Sequence, residues 1–245
     1  MPPLLPTATA REEEIRDADV AVLPVGSFEQ HGRHLPLATD TIIASLLADE
    51  LAKHYDGLRV LPAVPFGCSH EHAGILGGTV SISATTLHRL VNDILDDLEQ
   101  QGITRAVILH GHGGNYVLQH LAQEASAGNR RRVLLWPNGR VWDQARTAAE
   151  CELNAHEDMH AGEGETSLLL HAFPGLVGDQ RIDERADDRP DLLLHGLRAY
   201  TTSGVVGAPS AATADKGRAL LEAFVAEFAR PLAELRRPMD EQTSH

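Results

Sequence analysis

The feature of this sequence that most limits its fold is an alternation. Short apolar runs closed by Pro or Gly recur between longer stretches whose apolar residues follow a helical period. DADVAVLPVGS (17–27), RVLPAVP (59–65), TRAVILHG (104–111) and RRVLLWP (131–137) have the length and flanking turn residues of buried strands. Between them, TIIASLLADELAKHY (41–55), TTLHRLVNDILDDLEQQG (85–102) and NYVLQHLAQEASAG (115–128) read as helices, the first capped by Thr39 or Asp40. Strands that alternate with helices need crossover connections, which build a mainly parallel sheet covered on both faces. The expected fold class is α/β, a three-layer α/β/α sandwich.

Beyond Pro137 the pattern loosens. Residues 141–153, 164–173 and 215–235 have helical spacing, with Pro231 placed to kink the last. DQRIDERADDRPD (179–191) reads as a solvated charged stretch and TTSGVVGAPSAAT (201–213) as a loop. A chain of 245 residues without a repeat or an evident linker is expected to form a single domain, with 1–16 and 238–245 frayed.

Charge narrows the partners. With 35 Asp and Glu against 21 Lys and Arg, the formal net charge of -14 repels phosphate backbones and anionic lipid, so no nucleic acid and no membrane partner is expected. No stretch approaches the roughly 20 apolar residues of a membrane helix. Two cysteines, Cys68 and Cys151, are too few for a disulfide framework and fit a reducing, cytoplasmic location. Histidine is the unusual component: 14 residues of the side chain best suited to proton transfer and metal ligation near neutral pH.

These histidines gather where an α/β sheet puts its ligands, beyond the carboxyl ends of strands. SFEQHGRHLPLATD carries Glu29, His31, His34 and Asp40. HGHGGN carries His110, His112 and Asn115, and HEDMHAGEGETS carries His156, Asp158, His160, Glu163 and Glu165. Glu29 and His31, two apart in an extended segment, can face one point. Mixed imidazole and carboxylate ligands suit Zn2+, Mn2+ or Fe2+, and a carboxylate can bridge two such ions about 3.5 to 4 Å apart. Taken singly, Glu29 could be a solvated carboxylate, Asp40 a helix cap, and the glycines of HGHGGN a phosphate cradle at a helix N-terminus. The loop lacks the Lys and Ser/Thr ending of a mononucleotide-binding loop, and a phosphate gains nothing from His112.

VLPVGSFEQHGRHLPLATD, VILHGHGGN and DMHAGEGETS together resemble the three signature segments of the creatininase (creatinine amidohydrolase) family, in order and spacing. The resemblance implies two divalent metal ions per chain. Glu29 and His31 would bind one ion each, Asp40 would bridge them, and His112 would complete the first ion's shell. His160 is similar to a catalytic proton-transfer residue, and Glu165 to the motif's fixed acid, catalytic or metal-ligating. The family also implies a homo-oligomer, a hexamer. Where creatininase proper carries a metal-binding Glu in its Gly-rich loop, this chain has Gly114, so Glu165, with Glu163 as rival, is expected to replace it. Members with the plain G-H-G-G-N loop include a formamide hydrolase and a peptidase.

The function expected is hydrolysis of a small-molecule amide or short peptide C–N bond by metal-activated water, with His160 protonating the leaving nitrogen. Ser69, Glu71, His72 and His156 are expected to line the substrate site, while Trp136 and Trp142 read as core or lid residues. The alternatives are a phosphate- or nucleotide-binding module built on the Gly-rich loop, and a non-catalytic oligomeric scaffold.

Overall fold

Every residue of the first strand, β1 (Val20–Val25), is buried, which requires cover on both sides. The computed structural model describes residues 5–128, 130–186 and 188–238. A short helix, α1 (Ala10–Arg16), precedes β1, and α2 (Thr39–His54), β2 (Leu58–Val60), α3 (Ala84–Gln100), β3 (Arg105–His110), α4 (Val117–Ala127) and β4 (Arg132–Trp136) follow. Then come α5 (Gly139–Ala148), α6 (Glu163–Ala172), the one-turn α7 (Leu192–His195) and the long α8 (Ala214–Arg236).

The four strands lie in the order β2-β1-β3-β4, all parallel, with Val22 opposite Val60 on one side and Val107 on the other. Side chains alternate across the pleat. Val20 and Val22 enter a core with apolar residues of α2, α5, α6 and α8, whereas Ala21, Leu23 and Val25 enter one with α3 and α4. Leu87, Val91, Leu95 and Leu98 recur on one face of α3, and burying each contributes about 1.5 to 3 kcal/mol. The result is the α/β/α sandwich that the alternation predicts. No helix among the described residues is long and apolar enough to cross a membrane.

The chain order places the site. From β1 it runs to β2 on one side through α2, then returns to β3 on the other side through α3. The β1–β3 pair is therefore the point where the winding reverses, and the loops after these strands diverge to leave a crevice.

Several boundaries differ from the sequence expectation. Residues 10–16, expected to fray, form α1, because Thr9 and Glu12 close a capping box. Residues 239–245 of the expected frayed C-terminus lie outside the described residues, while 238 lies two positions past the end of α8. α5 stops at Ala148 rather than 153, since Glu150 adopts a positive φ of 54°. Asp40 does not cap α2: Ala38 holds the cap position, and Asp40 sits in the first turn with its carboxylate turned into the crevice. α8 continues through Pro231 to Arg236 as one helix.

Candidate metal centre

Backbone fit brings the loops together. Gly111, one residue beyond β3, lies so close to α2 that a Cβ there would stand 2.3 Å from the Asp40 carbonyl oxygen. Asn115 fastens the same loop: its Oδ1 accepts from the Cys68 N–H at 2.8 Å and its Nδ2 donates to the Gly26 carbonyl at 3.2 Å. The 70–72 segment, read from sequence as loop, makes a 3-10 turn that buries His72 beside Ser69.

Glu29, His31, Asp40, His72, His112 and His160 converge, all buried. His112 Nδ1 stands 3.1 Å from Glu29 Oε1 and 3.5 Å from Asp40 Oδ2. His31 Nε2 stands 3.0 Å from Asp40 Oδ1 and 3.9 Å from Glu165 Oε1. The two oxygens of Asp40 thus face two different imidazoles. Glu29–Asp40–His112 and His31–His160–Glu165 each offer three ligand atoms within 4.8 Å of one another.

Three buried carboxylate oxygens, Glu29 Oε1, Glu29 Oε2 and Asp40 Oδ2, lie among these imidazoles without accepting a hydrogen bond. Leaving such acceptors unsatisfied in the interior is costly. A cation bound by mixed nitrogen and oxygen donors would relieve it, and this donor set fits a divalent ion with N/O preference.

The charges agree. Burial and then the nearby Glu29 push the Asp40 carboxyl up to about 7, as expected of two acids sharing a dry site. Burial also raises Glu29, but His112 and His72 outweigh it and hold that carboxyl well below the usual range. Burial pulls His31 down, yet Asp40 and Glu165 outweigh it and keep the imidazole well above its ordinary value. His160 is the exception: burial, then repulsion from His31 and His72, holds it well below.

Gln30, between the two motif residues, is not singled out by the sequence motifs. Its carbonyl accepts from His160 Nε2 at 2.7 Å, which leaves His160 Nδ1 as the basic nitrogen. Its side-chain Nε2 donates to Gly204 O at 3.0 Å and meets His72 Nδ1 at 3.0 Å. His72 Nε2 stands 3.2 Å from Glu29 Oε1. A Gln between two ligand-type residues was the available signal, since only the fold shows which side chains it meets.

Asp158 shapes the third loop. Its carboxylate accepts from the backbone N–H groups of Glu163, Gly164 and Ala208 and pairs with buried Arg146 at 2.7 Å. Ala161 is thereby held at φ 52°, and its N–H donates to Glu165 at 2.7 Å. Glu163 turns away, pairing with Lys216 and accepting from the Glu152 N–H.

Of the residues expected to line a substrate site, Glu71 and His72 join the cluster directly. Ser69 pairs with Ser27 and stands 3.5 Å from His112 Nε2. His156 stands apart from the cluster, exposed and joined to Arg189, because residues 154–157 turn outward before the loop reaches His160. A cavity of about 210 Å³ opens onto Asp40, His112, His160 and Glu165 past Trp142. Trp136 is a core residue packed on Phe224 and Phe228. His112 faces Glu29, Asp40 and Glu71, three acids that would repel an anion, so the phosphate-cradle alternative gains no support.

Imidazoles and carboxylates converging in a dry crevice beyond parallel strands define the build of a metal-dependent α/β hydrolase. The family model described as creatinine amidohydrolase matches residues 6–232, and the chain belongs to the creatininase family. It is 35% identical over 228 residues to the mycofactocin precursor peptide peptidase of Mycobacterium tuberculosis, covering 86% of this chain and 84% of that one. It is 27% identical over 251 residues to the creatinine amidohydrolase of Pseudomonas putida, covering 92% and 94%. The solved structure titled "Creatininase Mn" superposes with a TM-score of 0.80 at 26% identity, covering 95% of this chain and 98% of that one.

Proposed function

We propose that this creatininase-family hydrolase uses two divalent ions, Zn2+, Mn2+ or Fe2+, to cleave an amide bond in a short peptide or a small peptide-like molecule. One ion would lie among Glu29, Asp40 and His112, the other among His31, Asp40 and Glu165. The observation that carries this reading is Asp40, whose two oxygens face His31 and His112 while Oδ2 accepts no hydrogen bond. The peptide preference is supported by the 35% identity to a precursor peptide peptidase and by the glycine loop that replaces creatininase's loop acid.

Bound ions would supply an acidified water and polarise the scissile carbonyl. The chain's own residues do the rest. His160, neutral and fixed by Gln30 with Nδ1 free, accepts a proton within the crevice and delivers it to the departing nitrogen, which leaves poorly unless protonated. Glu165 holds the Ala161 N–H and so fixes the loop that presents His160. Trp142 and Met159 wall the cavity and limit water. Ser69, Glu71 and His72 line the other side of the crevice.

A single domain, a homo-hexamer and a cytoplasmic location belong to the same reading, supported by the resemblance of the signature segments and by the free state of Cys68 and Cys151. The test is metal analysis with peptide hydrolysis. About two divalent ions per chain, and activity abolished by a chelator and restored by Mn2+ or Zn2+, are expected. Full activity at negligible metal content would refute the reading.

A further inference from the structure

The ring of His112 stands between two groups of acceptors, one at each nitrogen. Nδ1 faces Glu29 and Asp40, at 3.1 and 3.5 Å. Nε2 faces the Cys68 carbonyl at 3.1 Å and Glu71 Oε1 at 3.3 Å. A neutral imidazole has one proton. If its lone pair serves the Glu29–Asp40 side, the Nε2–H is shared between Cys68 O and Glu71.

Glu71 reaches this place because position 114 is glycine. A Cβ on Gly114 would lie 2.2 Å from Glu71 Oε1 and 2.4 Å from His112 Nε2. The Glu71 carboxylate is mostly buried, with 19% of its side chain exposed, and it comes from the turn of residues 70–72 rather than from the Gly-rich loop. The loop position at which the family resemblance would put an acid is thus emptied to admit an acid from a neighbouring loop.

The geometry points to Glu71 as a positioning residue of the metal centre, one that grips the far nitrogen of His112 in space that Gly114 leaves open. The inference rests on Glu29, Asp40 and His112 being metal ligands. A carboxylate behind a ligating imidazole fixes its orientation and raises its donor strength, and losing one typically costs 10- to 100-fold in metal affinity. The Cys68 carbonyl can orient the ring, but it brings no charge.

Mn2+ binding to the full chain, measured by titration calorimetry together with KM and kcat, tests this. Glu71→Gln keeps the shape and removes the charge, and the expected result is a 10- to 100-fold weaker ion with an unchanged circular dichroism spectrum. Gly114→Ala crowds the Glu71 carboxylate and the His112 ring together and should weaken the same ion at least as much as Glu71→Gln does. Wild-type Mn2+ affinity in Glu71→Gln, with only KM raised, would make Glu71 a substrate contact and overturn the inference. Failure of the unmodified protein to bind Mn2+ would instead sink the metal-centre reading beneath it.

Discussion

Glu163 and Glu165 open the same helix two positions apart, and residues so spaced on a helix face different directions. Glu163 is fully buried against Lys216 and the Glu152 N–H, whereas Glu165 approaches His31 and Ala161. Glu165→Gln is therefore expected to weaken one ion selectively, leaving about one per chain by metal analysis. Glu163→Gln should keep both ions and lower stability by about 1 to 3 kcal/mol, because Lys216 loses its charged partner. Two tightly held ions in Glu165→Gln would move that carboxylate out of the ligand set. His160 adjoins both ligand groups, yet its Nε2 is taken by Gln30 O. His160→Ala should retain both ions and lose turnover by roughly 10²- to 10⁴-fold, the usual worth of a proton-transfer group. Metal loss in that variant would make His160 a ligand.

At the scale of elements, the charged segment 179–191 is more than a solvated stretch. Glu184 pairs with Gly207 by backbone hydrogen bonds, and its carboxylate accepts from the Thr201 and Ser203 hydroxyls and from the N–H groups of Thr202 and Ser203. The same strand-like run pairs Val206 with His160, so the segment braces the loop that carries His160. Partial burial raises the Glu184 carboxyl, but the bonds from Ser203 and Thr201 outweigh it and bring it down to about 2. A carboxyl lowered on folding stabilises the protein above its unfolded value, near 4.5, and that contribution fades as pH falls towards about 2. Glu184→Gln should lower the urea midpoint at pH 7 by an amount equal to about 1 kcal/mol, solvent access keeping the loss small. The gap from the parent should narrow as pH drops below 4.5. An unchanged midpoint at pH 7 would show that the brace adds nothing.

Across the whole molecule, the candidate ligands come from loops and from the first turns of α2 and α6, while the sheet between the two cores supplies none. Chelation in the metal test above should therefore leave the far-ultraviolet circular dichroism near its starting value, as the cores that carry the fold are untouched. Much of this was legible in the chain. Strand and helix order follows from apolar periodicity, a local property, and the ligand-rich loops follow because parallel strands release their loops at one edge. Glu29, His31, Asp40, His112, His160 and Glu165 could be named because three motifs place them. Tertiary structure alone decided the rest. Asp40 could pass for a helix cap, and only the approach of Gly111 and His31 turns it into a shared carboxylate. Gln30, Glu71 and His72 enter the centre, and His156 stays out, through contacts between residues 33 or more apart in the chain, which periodicity and spacing do not encode. A sequence determines which chemical groups its loops offer. The close packing of those loops, set by glycines that admit a neighbour's backbone or carboxylate, determines which groups meet.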